Sequence, residues 1–162
     1  MQWQDLFVVV DDGSIPLAHY EAIEAAMKDQ SRAFPTGIAC LVVLPPGARP
    51  PPDDVKLRVK NLLNGFGTQL TCLGYLIEGS GFKAVAARAA LVGMKVFMTR
   101  PYPVYVETSM GTVLEKILPH LAKGSRVTSD VGRIAEAIAE GRARSAAPRP
   151  MPTPPPATAP LK

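Results

Sequence analysis

Ile38-Ala39-Cys40-Leu41-Val42-Val43-Leu44 is an unbroken apolar run, and Pro45-Pro46 closes it. A strand with one wet face alternates apolar and polar residues. A strand covered on both faces is apolar throughout. The run is too short for a free-standing buried helix, and proline cannot donate to a sheet ladder. It reads as an inner strand of a sheet with helices on both sides.

Two flanking runs have the same character. Leu6-Phe7-Val8-Val9-Val10 leads into Asp11-Asp12-Gly13, and Leu70 to Ile77 leads into Glu78-Gly79-Ser80-Gly81. Helical periodicity fills the intervals. Leu17, Tyr20, Ile23 and Met27 predict a helix over 16–31, with Pro16 at its first position. Pro50-Pro51-Pro52-Asp53-Asp54 opens a second helix, with carboxylates at its positive end. Val55, Val59, Leu62, Leu63 and Phe66 form its stripe, and Gly65 and Gly67 are expected to stop it. A third helix is expected from Phe82, although Lys95 to Met98 also reads as strand. Val104-Tyr105-Val106 is a fourth strand. Ser109 can cap a helix running to Leu121, which Pro119 should kink or end.

Strands alternating with helices predict an α/β domain: a small, mainly parallel sheet of four to five strands flanked by helices. The domain is expected over 5–124. A partly docked C-terminal helix is expected over 125–142, because its face is Ala-rich and Gly132 and Gly141 weaken it. From 143 to 162 the chain is low in complexity, and 7 of its last 15 residues are proline. Such a tail buries too little surface to order itself.

The chain has 162 residues, of which 47% are hydrophobic, and a net charge of +4. The charge is uneven. Residues 1–125 hold 12 basic and 11 acidic side chains, and residues 126–162 hold 6 and 3. A nucleic-acid binder carries a basic stripe on its folded body. The near-neutral body argues against that class. Met1-Gln2-Trp3-Gln4-Asp5 lacks the pattern of a secretory leader, and no apolar run approaches the roughly 18 residues of a membrane span. Cys40 and Cys72 lie in apolar runs and form no pattern with His19 or His120. Neither a metal site nor a disulfide framework is expected, and a reducing, cytoplasmic setting fits best.

Four turns and segments invite functional readings. Glu78-Gly79-Ser80-Gly81 joins a strand to a helix, which in a parallel sheet is the edge where ligands bind. Gly79-x-Gly81-x-x-Ala84, with Glu107 ending the next strand, matches a dinucleotide fingerprint, and a helix start attracts phosphate. Against this, the turn follows the third strand rather than the first, and Glu78 would repel a pyrophosphate. The plainer reading is a tight turn needing glycine dihedrals. Asp11 and Asp12 resemble the paired acids of a response-regulator receiver domain. The phosphoacceptor Asp and the late Lys of that pattern are missing, so the plainer reading is a solvated turn. Neither histidine sits beside a nucleophile motif, so no catalytic pair is proposed and no enzyme is expected. Arg149-Pro150-Met151-Pro152-Thr153-Pro154-Pro155 fits an R-x-x-P-x-x-P polyproline ligand, a pattern that Pro-rich tails also produce by chance.

Tyr75-Leu76-Ile77-Glu78-Gly79-Ser80-Gly81-Phe82 feeds an Ala-rich helix, and Tyr102-Pro103-Val104-Tyr105-Val106 feeds a helix toward Leu121. Over residues 5–122 this order resembles the STAS domain, the anti-sigma-factor-antagonist fold, and more closely the STAS-like proteins of soil bacteria. The resemblance implies a non-enzymatic module without a cofactor that binds a partner protein. In that family, phosphorylation at an Asp-Ser-Ser-Gly turn often controls binding. Glu78, Gly79, Ser80 and Gly81 fall on that turn. Glu78 stands where the family has Asp, Gly79 replaces the serine usually phosphorylated, and Ser80 matches the second serine. A phosphate on Ser80 would meet a helix N-terminus, whose dipole stabilises it.

The sequence therefore supports a binding module acting through loops near Gly13, Pro45 and Ser80. A phosphoanion or nucleotide binder at Gly79 to Gly81, and a degenerate receiver at Asp11 and Asp12, stand as alternatives.

Overall fold

The computed structural model describes residues 2–11, 15–79, 101–122, 125, 127 and 131–146. Five strands form one sheet: β1 (Gln2–Trp3), β2 (Leu6–Val10), β3 (Ile38–Leu44), β4 (Leu70–Ile77) and β5 (Val104–Glu107). They lie in sequence order, β1-β2-β3-β4-β5. Strands β2 to β5 are parallel, and the two-residue β1 pairs antiparallel with β2. The expected mainly parallel α/β sheet is what forms. The antiparallel β1 was not legible: two residues carry no periodicity. Its hairpin turns on Gln4, which takes a left-handed φ of 53°. The Gln30 side-chain amide donates to the Gln4 carbonyl and holds that turn.

Helix α1 (His19–Ala33) follows β2, and α2 (Asp53–Phe66) follows β3. Right-handed crossovers that step in one direction across a sheet put their helices on the same face. Both helices obey that rule. Met27 of α1 and Leu62, Leu63 and Phe66 of α2 bury Phe7, Cys40, Leu73 and Val104. On their outer side, Glu24 accepts from Lys28 (2.7 Å) and from Arg58 of α2 (2.6 Å). These cations, the Lys28 hydrogen bond foremost, hold the Glu24 carboxyl below its ordinary range.

The opposite face needs cover from elsewhere. It comes from α3 (Met110–Ile117) and α4 (Val131–Ala146). Val113, Leu114 and Ile117, with Val127, Ile134 and Ile138, seal Leu6, Val8, Leu41, Val43, Cys72 and Leu76. Gly74 sits under α3. A Cβ there would lie 2.5 Å from Ile117 Cδ1 and 3.1 Å from Val113 Cγ2, so a larger residue would force these side chains of α3 to shift.

Three expectations need adjustment. Pro16 does not start α1. Its carbonyl accepts from His19 N–H at 2.9 Å, in a turn that precedes the helix. Leu17 therefore leaves the apolar stripe and is 44% exposed. Helix α2 runs through Gly65 and ends at Gly67. Ser109 caps α3 as expected, accepting from Thr112 N–H, but the regular helix ends at Ile117. A 3-10 turn over Leu118–His120, containing Pro119, follows it.

Helix α4 is docked. Ile134 and Ile138 are each 1% exposed, while Ala135 and Ala139 face solvent. The alanines lie off the contact stripe, so they do not weaken it. Each buried isoleucine contributes about 1.5–3 kcal/mol. The helix also extends past 142, to Ala146. The helix expected from Phe82, the alternative strand at Lys95 to Met98, and the tail beyond 146 lie outside the described residues.

One polar latch joins the start of β2 to the segment that follows α3. Asp5, 1% exposed, opens β2. Its Oδ2 accepts from Ala122 N–H at 2.7 Å, and its Oδ1 accepts from the Ser125 hydroxyl at 2.5 Å. A buried carboxylate is tolerable only with such donors. Asp5→Ala orphans both donors and is expected to lower unfolding free energy by about 3 kcal/mol, whereas Ser125→Ala removes about 1 kcal/mol. Equilibrium urea unfolding measures both. Equal, negligible effects would remove the latch from this account.

Candidate functional site

Because β2 to β5 run in one direction, their carboxyl ends share one edge. The loops leaving that edge are tied to the neighbouring strand. Asp11 N–H donates to the Val43 carbonyl (2.9 Å), and Glu78 N–H donates to the Leu44 carbonyl (2.9 Å). After β3 the chain reverses at Pro45-Pro46-Gly47-Ala48. Ala48 N–H donates to the Pro45 carbonyl at 3.1 Å, and Gly47 has φ 83°. Pro at the second position and a positive φ at the third make this a type II turn.

Gly79 has φ 94°, in the left-handed region. A Cβ there would meet Pro46 Cβ at 3.4 Å. The β4 loop and the β3 turn thus stand side by side. Glu78 is half-buried and Gly79 exposed. Ser80 and Gly81, the other half of the candidate turn, lie outside the described residues, as do Asp12 and Gly13.

Asp11 is engaged. The Tyr20 hydroxyl donates to its Oδ2 at 3.1 Å. Burial first, then the Asp11 charge and hydrogen bond, push the Tyr20 phenol well above its ordinary 10.0. Glu107, at the end of β5, is also engaged, in an ion pair with Lys116 of α3. This salt bridge joins α3 to the end of β5.

A neighbouring cluster has no sequence signal. The Tyr105 hydroxyl and His120 Nε2 are 2.7 Å apart, and Lys116 Nζ lies 5.9 Å from the Tyr105 ring centre. One residue is on β5 and another in the 3-10 turn, fifteen positions apart. Only the packing of α3 across Gly74 brings them together. The cluster ties the end of α3 to the sheet.

Cys40 and Cys72 are buried and unbridged. Burial pushes both thiols up to about 12, so each is protonated at neutral pH and neither is a nucleophile there. Among the described residues, no group of three His, Cys, Asp or Glu side chains could hold a metal ion. No described helix is long and apolar enough to cross a membrane. Comparisons with protein-family models, with curated proteins and with solved structures found no match.

The Tyr20–Asp11 pair makes an alkaline prediction. A raised folded pKa means that the folded state holds its proton longer. Its contribution is complete below the unfolded value near 10 and is lost as pH rises above it. Thermal melts between pH 7 and 11 should show wild-type stability falling above pH 10, with a shallower fall in Tyr20→Phe. Identical slopes would contradict the burial of this phenol.

Proposed function

We propose that the chain is a non-catalytic interaction module whose partner protein docks on the carboxyl-edge loops. The observation that carries this reading is the close approach of the β3 turn to the β4 loop, where a Cβ on Gly79 would lie 3.4 Å from Pro46 Cβ. It sets two exposed segments next to each other on a tied backbone. Loops already held in place lose little freedom on binding, and that raises affinity without added contact area.

The STAS resemblance supports the same edge, because its regulatory turn aligns with Glu78 to Gly81. Phosphate on Ser80 would be the regulatory input in this reading. A reducing bacterial cytoplasm suits two free, buried thiols.

Affinity purification from the native host should retain a stoichiometric partner with the wild-type chain and lose it with Glu78→Lys. Glu78 is half-buried at the loop's start, so charge reversal alters the edge without entering the core. Undiminished retention would remove the carboxyl edge as the binding site. Thermal shift against a nucleotide panel is expected to be flat, since a ligand at 100 times its dissociation constant adds about 2.7 kcal/mol. A clear shift would favour the phosphoanion reading at Gly79 to Gly81 instead.

A further inference from the structure

The segment Arg49-Pro50-Pro51-Pro52, between the β3 turn and α2, has a backbone and composition of its own. Proline fixes φ near −65°, and a residue before proline is driven to extended or polyproline II geometry. Arg49, Pro50 and Pro51 each precede a proline. All three are therefore restricted, and Pro52 has φ −55° and ψ 162°, close to polyproline II. Arg49, Pro50 and Pro52 are exposed. The segment is anchored at both ends: by the Pro45–Ala48 turn before it, and by the Pro52 carbonyl, which accepts from Lys56 N–H at 2.9 Å.

The pattern Arg-Pro-x-Pro occurs three times in the chain, at 49–52, 100–103 and 149–152. The copies differ in availability. In the second, Tyr102 is buried against the α2 face with its hydroxyl toward the Leu63 carbonyl, and the Pro103 carbonyl accepts from Leu73 N–H at 3.0 Å. That copy is part of the fold. The third lies outside the described residues. The first is the copy that the described structure presents outward.

We infer that Arg49-Pro50-Pro51-Pro52 is a polyproline II ligand for a partner protein that carries an aromatic-lined groove with an acidic rim. This inference rests on the partner-binding reading of the carboxyl edge and names the partner's chemistry. Aromatic side chains pack between proline rings, and polyproline II docks with little entropy loss because it is already formed. A carboxylate on the groove's rim would take the Arg49 guanidinium in a paired hydrogen bond. At a rise of about 3.1 Å per residue the four residues span only about 9 Å. The groove is therefore short, and the ligand works as one part of the larger edge contact.

The test uses the full chain with its tail motif silenced by Arg149→Ala, Pro152→Ala and Pro155→Ala. Binding is measured against a panel of purified SH3 and WW domains. At least one domain is expected to bind, and Pro50→Ala with Pro51→Ala should weaken it roughly tenfold. Arg49→Glu should also weaken it, and it leaves every proline in place should the double variant fail to fold. Thermal melts check each variant's fold. A silent panel, or binding indifferent to both loop variants, overturns the inference. If the panel is silent while capture of a Glu78-dependent partner persists, the groove ligand falls and the carboxyl-edge reading survives.

Discussion

The Asp5 carboxylate binds the start of β2 to the chain that follows α3. This contact answers a geometric problem. A parallel sheet wound in strict sequence order places α1 and α2 on one face and leaves the other bare. The apolar residues of that second face, Leu6, Val8, Leu41, Val43 and Leu76, need a cover that no described crossover supplies. Helices α3 and α4 supply it, and between them the Ser125 N–H donates to the Ala122 carbonyl at 2.9 Å in a turn. Asp5 accepts hydrogen bonds at that turn. Gly74 then sets how closely α3 can lie, and Ile134 and Ile138 seat α4 beside it.

The inner strands were legible because burial on both faces writes a simple pattern. Ile38–Leu44 and Leu70–Ile77 contain almost nothing but apolar residues, and their limits are the expected ones. The helix ends were less legible, because local rules compete there. Pro16 suits a first helical position, yet it suits a turn equally well, and the turn won. Docking of α4 was obscured by averaging over its alanines. The contact is centred on two isoleucines four residues apart, and Ala135 and Ala139 face solvent. The β1 pairing depends on Gln30 reaching Gln4 from a distant helix, which no local pattern encodes.

The edge was legible in outline. Parallel strands dictate that Asp11, Pro45, Glu78 and Glu107 share it, and Gly79 has the positive φ that a tight turn after a strand requires. What the sequence did not carry was the pairing of side chains. Tyr20 occupies Asp11, Lys116 occupies Glu107, and His120 meets Tyr105. The first two pairs join a strand end to a helix and the third joins β5 to the 3-10 turn, so each follows from tertiary packing. These partners give Asp11 and Glu107 structural work.

Helix α4 belongs to the core as a cover of the second sheet face. Hydrogen–deuterium exchange of the full chain, read by mass spectrometry, tests it most directly. Amides over 134–142 should open only with the global unfolding that releases β3, with a matching free energy. Exchange of that helix at the rate of a fraying terminus, while Ile38–Leu44 stays protected, would contradict the account.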